Sequence, residues 1–167
     1  MANNLHRINK TKYFFDEKSA KRACDFIQTF CKHTKGELAG QPFVLEPWQI
    51  EIIEAIFGWK SKKTKLRKFR QCFIFIPRKN GKTTMMVGIA LYMLFSDGEK
   101  GAEIVSAAAD KEQARLSFSI AKQMVLQEPN LIKRAGTYRD SITYDKVGSY
   151  YKVISADADT KHGLNLS

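Results

Sequence analysis

No stretch of this 167-residue sequence stays apolar for anything near 18 residues. A membrane-spanning helix is therefore not expected, and a membrane is excluded as a partner. The first residues, Met1-Ala2-Asn3-Asn4-Leu5-His6, lack the apolar core of a secretion signal, so export is not expected either. Cysteine is scarce. Cys24, Cys31 and Cys72 are an odd number at no recognised spacing, which excludes a disulfide-stapled scaffold and fits reduced thiols in a cytosol. Cys24 and Cys31 lie near His33 but lack a fourth ligand, so zinc is not expected there. Internal repeats and low-complexity tracts are missing as well. Acidic residues are also short, 17 Asp and Glu against 28 Lys and Arg, for a net charge of +11.

The acid deficit is local. Residues 1–80 hold 17 basic against 7 acidic side chains; residues 81–167 hold 11 against 10. The densest part is Lys60-Ser61-Lys62-Lys63-Thr64-Lys65-Leu66-Arg67-Lys68-Phe69-Arg70. Its candidates for contact with a phosphate backbone are Lys60, Lys62, Lys63, Lys65, Arg67, Lys68 and Arg70. A solvated loop is the plain alternative for the same run.

The length suits one domain, 1–167, with 44% apolar residues to form a core. Residues 1–40 read as a helical N-terminal extension. Within it Ala20, Ala23, Cys24, Ile27, Phe30 and Cys31 repeat at helical spacing over 16–33. Gly36 to Pro42 reads as a loop. Pro47 suits the first turn of a helix over 47–57. A basic loop over 58–70 leads into a strand over 70–76. A nearly all-apolar helix follows over 82–95, then a short strand over 102–107. Asp110 can cap a helix to about Gln127, with Ala114, Phe118, Ala121 and Val125 inward, and Pro129 breaks or restarts it. Thr137–Tyr144 and Tyr150–Ser155 alternate like strands, and Asp145-Lys146-Val147-Gly148 would turn them into a C-terminal hairpin. The order predicts an α/β fold with a mostly parallel sheet flanked by helices and a ligand at the carboxyl ends of the strands.

Pro77-Arg78-Lys79-Asn80-Gly81-Lys82-Thr83-Thr84 joins the apolar run Cys72–Ile76 to the apolar helix. Strand, tight loop, Gly-Lys-Thr and helix form the build of a phosphate-binding loop. Its backbone amides turn toward a triphosphate, and the helix N-terminus adds partial positive charge. Asn80, Gly81 and Thr84 belong to the loop. Lys82 would reach the β- and γ-phosphates of ATP, and the Thr83 hydroxyl would ligate Mg²⁺. The usual first glycine of the pattern is missing, because position 76 is Ile.

Ile76-Pro-Arg-Lys-Asn-Gly-Lys-Thr83 resembles the Walker A segment of the large terminase subunit of tailed bacteriophages. That family carries an arginine where this chain has Arg78. The resemblance implies that Arg78 and Lys82 take catalytic roles, with Arg78 holding the γ-phosphate. Leu45-Glu46-Pro47-Trp48-Gln49 is similar to the family's Leu-x-Pro-Trp-Gln stretch, which implies an adenine contact for Gln49. Its amide can donate and accept at once. Ser155-Ala156-Asp157 and Lys161-His162-Gly163-Leu164-Asn165 look like the stretch before the family's Walker B strand. The likeness covers roughly residues 35–167.

The resemblance implies an incomplete P-loop NTPase domain, truncated before Walker B and without the nuclease domain. It implies ATP and Mg²⁺, double-stranded DNA as the moved substrate, a small terminase subunit and a portal ring as partners, self-association, and action in the cytoplasm of a bacterial host. Without the Asp-Glu pair of Walker B, slow hydrolysis or none is expected. Asp157 and Asp159 are the nearest stand-ins. A helicase-like ATPase, a nucleoside kinase and a catalytically incomplete binding fragment are the alternatives. Ile76 and the Pro-Trp-Gln segment argue against a kinase.

Overall fold

The computed structural model describes residues 9–108 and 111–155. Asp110, Asp157 and Asp159 lie outside them. The chain opens with β1, Tyr13–Phe15, and α1, Glu17–Phe30. Asp16 caps α1 by accepting from the Ser19 amide at 3.1 Å, which satisfies one of the amides a helix start leaves open. Ala20, Ala23, Cys24 and Ile27 form the buried side of α1, as their spacing predicted.

Helix α2 spans Pro47–Gly58, with proline in its first turn. Its last residue must be glycine for steric reasons. A Cβ at Gly58 would stand 2.4 Å from the Phe15 ring and 3.0 Å from Ala20. The tight fit lets Gly58 O accept from the Asp16 amide at 2.7 Å. The segment expected as a basic loop then begins with a strand, β2, Trp59–Ser61, paired antiparallel to β1. Lys60 also bridges to Arg67, so the basic run folds back on itself.

The expected strand over 70–76 joins no sheet among the described residues. Phe73 and Phe75 are 90% and 82% exposed, Ile74 and Ile76 are half-buried, and the two phenyl rings are parallel at 6.5 Å. This alternation is that of an extended chain with one side turned inward. A strand needs a neighbour to pair with, and none of the described strands lies alongside.

Helix α3, Lys82–Phe95, is buried along most of its length, although Met86 is exposed. Strand β3, Glu103–Ala108, and helix α4, Lys111–Gln127, follow. Ala114, Phe118, Ala121 and Val125 are buried. Pro129 does end α4 and starts the short α5, Pro129–Ile132.

Three further strands complete a four-stranded sheet: β4, Gly136–Thr137; β5, Ser141–Tyr144; and β6, Ser149–Ser155. Their order with β3 is β3-β6-β5-β4. Only β3 and β6 are parallel; β5 with β6 and β4 with β5 are antiparallel. The described sheet is therefore mixed, not mostly parallel, because the C-terminal hairpin supplies three of its four strands. That hairpin forms as expected, through a turn of 3-10 helix at Asp145–Val147 and Gly148 at φ 70°. Its first arm is shorter than expected. The amide of Tyr138 donates to Ser141 O, and this turn splits β4 from β5. Helices α3 and α4 pack on the sheet, and α1 packs on α2 and α3, around a core that includes Ile27, Ile53, Phe57, Tyr92, Met124 and Tyr151.

Candidate functional site

The loop 77–81 leaves the extended segment and turns sharply into α3. Two residues take the left-handed conformation, Lys79 at φ 68° and Gly81 at φ 68°. Glycine takes it freely, whereas lysine does so at a cost of about 1–2 kcal/mol. Asn80 holds the loop, because its side-chain amide donates to Pro77 O and Arg78 O, both at 3.3 Å. A side chain predicted only to line the site thus also shapes it.

Helix α3 opens without a side-chain cap. Its first internal bond runs from the Met85 amide to Gly81 O at 2.9 Å. Among the described residues, nothing accepts from the amides of Lys82, Thr83 and Thr84. Open amides at the start of a long helix, with Arg78, Lys79 and Lys82 exposed around them, make a place where an anion is favoured. Thr83 is exposed at the same end.

Gln49 lies 32 residues earlier in the chain, yet the fold brings it to this loop. A Cβ on Gly81 would stand 3.4 Å from Gln49 Nε2. The Gln49 side chain is nearly fully buried, and its Oε1 accepts from the Glu46 amide at 3.0 Å. That bond fixes the side chain at the start of α2 and leaves Nε2 directed toward the loop. Glutamine, loop and open helix start thus form one constellation drawn from two helices.

The seven basic candidates divide. Lys60 is held inside, at 2.8 Å from Asp16 Oδ2 and 2.6 Å from Ser19 Oγ. Arg67 pairs with Asp97 at 3.1 Å and with Glu99 at 4.0 Å, and sits over the Phe57 ring. These two charges are already compensated, so they contribute little to a surface for polyanions. Lys62, Lys63, Lys65, Lys68 and Arg70 carry no ion pair among the described residues. Lys65 lies over the Phe14 ring, and Lys68 over Tyr13 and Phe69, which steadies their stems without neutralising them.

Sequence reasoning missed the acids. Asp16 and Asp97 sit 44 and 30 positions from the basic residues they hold. Asp16 had a local signal, as an acidic cap at a helix start. Asp97 had none. Burial raises its carboxyl above the usual range, while Arg67 pulls the other way. No group of three or more metal-binding side chains occurs among the described residues. Nor is any described helix long and apolar enough to cross a membrane.

Comparison with known proteins bears on this constellation. Residues 47–167 match the family described as terminase large subunit, ATPase domain. The chain is similar to the terminase large subunit of Enterobacteria phage HK97, 32% identical over 148 residues, which are 87% of this chain and 28% of that protein. It is also similar to the crystal structure of the HK97 bacteriophage large terminase. There the TM-score is 0.73 and the identity 29%, over 88% of this chain and 29% of that one. The chain thus spans a little over a quarter of the length of these relatives.

Proposed function

The chain belongs to the family of terminase large-subunit ATPase domains, and from that premise we propose that it binds ATP-Mg²⁺ at residues 77–84 to drive duplex DNA into a viral procapsid. The observation that carries this reading is the meeting of Gln49 with Gly81 at an uncapped helix start. A phosphate loop needs the open amides, and a base contact needs a fixed amide beside them.

The roles follow from chemistry. The amides of Lys82, Thr83 and Thr84 receive phosphate oxygens. The Lys82 ammonium neutralises the β- and γ-phosphates, and Arg78 offers a planar fork to the γ-phosphate. Gln49 uses Nε2 to donate to an adenine nitrogen, because one lone pair of Oε1 is already engaged. Magnesium is suited to such a site. It takes most of its ligands from phosphate and water, with one or two from protein, and Thr83, exposed at the helix start, would supply one through its hydroxyl. The metal would supply charge neutralisation of the phosphates.

Hydrolysis needs a further group to orient water. The side chains exposed along 78–83 are cationic or neutral, so slow turnover of the 167-residue chain fits the reading. Lys62, Lys63, Lys65, Lys68 and Arg70 are the proposed contacts to the DNA backbone. The small terminase subunit, the portal ring and further copies of the chain are the proposed partners, in the host cytoplasm.

Calorimetric titration with ATP-Mg²⁺ tests the reading. Lys82→Ala removes a charged contact worth about 1.5–3 kcal/mol, so affinity should fall roughly tenfold to a hundredfold. Unchanged affinity would remove the phosphate-loop assignment.

A further inference from the structure

Helices α2 and α3 meet twice. Their starts meet at Gln49 and Gly81. Their ends meet where the Phe57 and Tyr92 rings stand 4.8 Å apart, edge to face. Arg67 sits on that second junction. Its guanidinium lies 5.5 Å from the Phe57 ring centroid and 3.1 Å from Asp97, two residues past the end of α3. Arg22 of α1 approaches the same place, with Nε 3.3 Å from Tyr92 Oη. Arg67 belongs to the basic segment, and its backbone bridges Lys60, which is itself bonded to Asp16 and Ser19. One side chain therefore joins the segment proposed for DNA to the far ends of both helices proposed for the nucleotide.

This arrangement differs from a surface ion pair. Arg67 and Asp97 are both less than a quarter exposed. Asp97 has a second acid, Glu99, beside it, and Arg22 approaches from α1, so the junction brings two carboxylates and two guanidiniums together. A planar fork stacked on a ring and bonded to a carboxylate has one favoured position. A polyanion drawn to Lys62, Lys63, Lys65 and Lys68 pulls on the chain that holds this fork. Helices of 12 and 14 residues, about 18–21 Å long, span the distance from this junction to the loop.

We propose that Arg67 is a positioning residue that couples DNA on the basic segment to nucleotide at the loop, through the far ends of α2 and α3. This rests on the function proposed above. The guanidinium itself touches neither ligand.

The test measures the affinity of a fluorescent ATP analogue for the chain, with and without saturating 30-base-pair duplex DNA, and the affinity for DNA in the reciprocal order. In the unaltered chain, DNA should change nucleotide affinity by about fivefold or more, and nucleotide should change DNA affinity by the same factor. Asp97→Asn removes the ion pair without touching either proposed site. It should bring the factor near one while each separate affinity stays within about twofold. Arg67→Lys keeps the charge and loses the fork, and should do the same. If Asp97→Asn melts early, Arg67→Lys carries the comparison. Independent binding of the two ligands in the unaltered chain would overturn the proposal and leave the proposed function standing. A coupling factor that survives both substitutions would overturn it equally. Absence of nucleotide binding altogether would remove both, and the first titration without DNA already shows it.

Discussion

The two ends of α3 are built on opposite principles. At its start the helix has no side-chain cap and three amides without partners among the described residues, ringed by exposed cations. At its end the Ser96 amide donates to Tyr92 O at 2.8 Å, the Asp97 amide donates to the same oxygen at 3.0 Å, and Arg67 and Arg22 anchor the last turn. Between them Met85, Leu91 and Tyr92 are fully buried. A helix held firmly at one end can leave the other unsatisfied, because packing supplies the stability that capping does not. The open end is where an anion gains most, since its hydrogen bonds replace none inside the protein.

Removing packing at the closed half should have the largest effect. Leu91→Ala deletes a fully buried side chain and should cost about 2–5 kcal/mol in denaturant unfolding. A cost near zero would mean that the frame holding α3 is not the one described. The next effect belongs to the open end. Gly81→Ala puts a side chain at φ 68° and against Gln49, a strain of about 1–2 kcal/mol. It should lower nucleotide affinity more than it lowers the melting temperature. Equal or better binding would show that the left-handed turn does not shape the site.

A smaller effect sharpens the comparison from a third place, the capped start of α1. Asp16→Asn should cost up to about 1 kcal/mol at neutral pH, through the lost ion pair with Lys60, since Asn caps a helix about as well as Asp. Hydrogen bonds from Lys60 and then Ser19 hold the Asp16 carboxyl well below the usual range. Its folded value is thus depressed relative to the unfolded chain. Its contribution is complete above about pH 4 and fades as pH falls further toward the folded value. The gap in stability between Asp16→Asn and the unaltered chain should shrink below pH 4. A gap that stays constant down to pH 2 would show that the carboxylate charge is not what matters.

Much of this layout was legible because its signals are local. Helical spacing gave α1 and α4, a continuous apolar run gave α3, and proline placed the start of α2 and the end of α4. Alternation and a glycine turn gave the hairpin of β5 and β6. Gly-Lys-Thr after an apolar run gave the loop. What stayed hidden depends on partners distant in sequence. Strand β1 is three residues long and finds β2 more than 40 positions later, so no periodicity announces it. The apolar run over 72–76 has strand chemistry, but a strand exists only when paired, and its pairing is absent among the described residues. Charge density could not separate Arg67, folded against Asp97, from Lys62 and Lys63, which carry no ion pair among the described residues. A basic run has the same composition whether its members face acids or solvent. The resemblance singled out Gln49 as an expectation, whereas its approach to Gly81 came only from the fold.

Amide hydrogen exchange across α3, resolved by residue with and without ATP-Mg²⁺, tests the contrast between its two ends most directly. Bonds to phosphate worth about 1.5–3 kcal/mol should slow exchange at Lys82, Thr83 and Thr84 by roughly tenfold or more. The amides of Ser96 and Asp97, already bonded, should change little. Slowing confined to the far end, or none at residues 82–84 under saturating nucleotide, would contradict the assignment of the open end as the phosphate site.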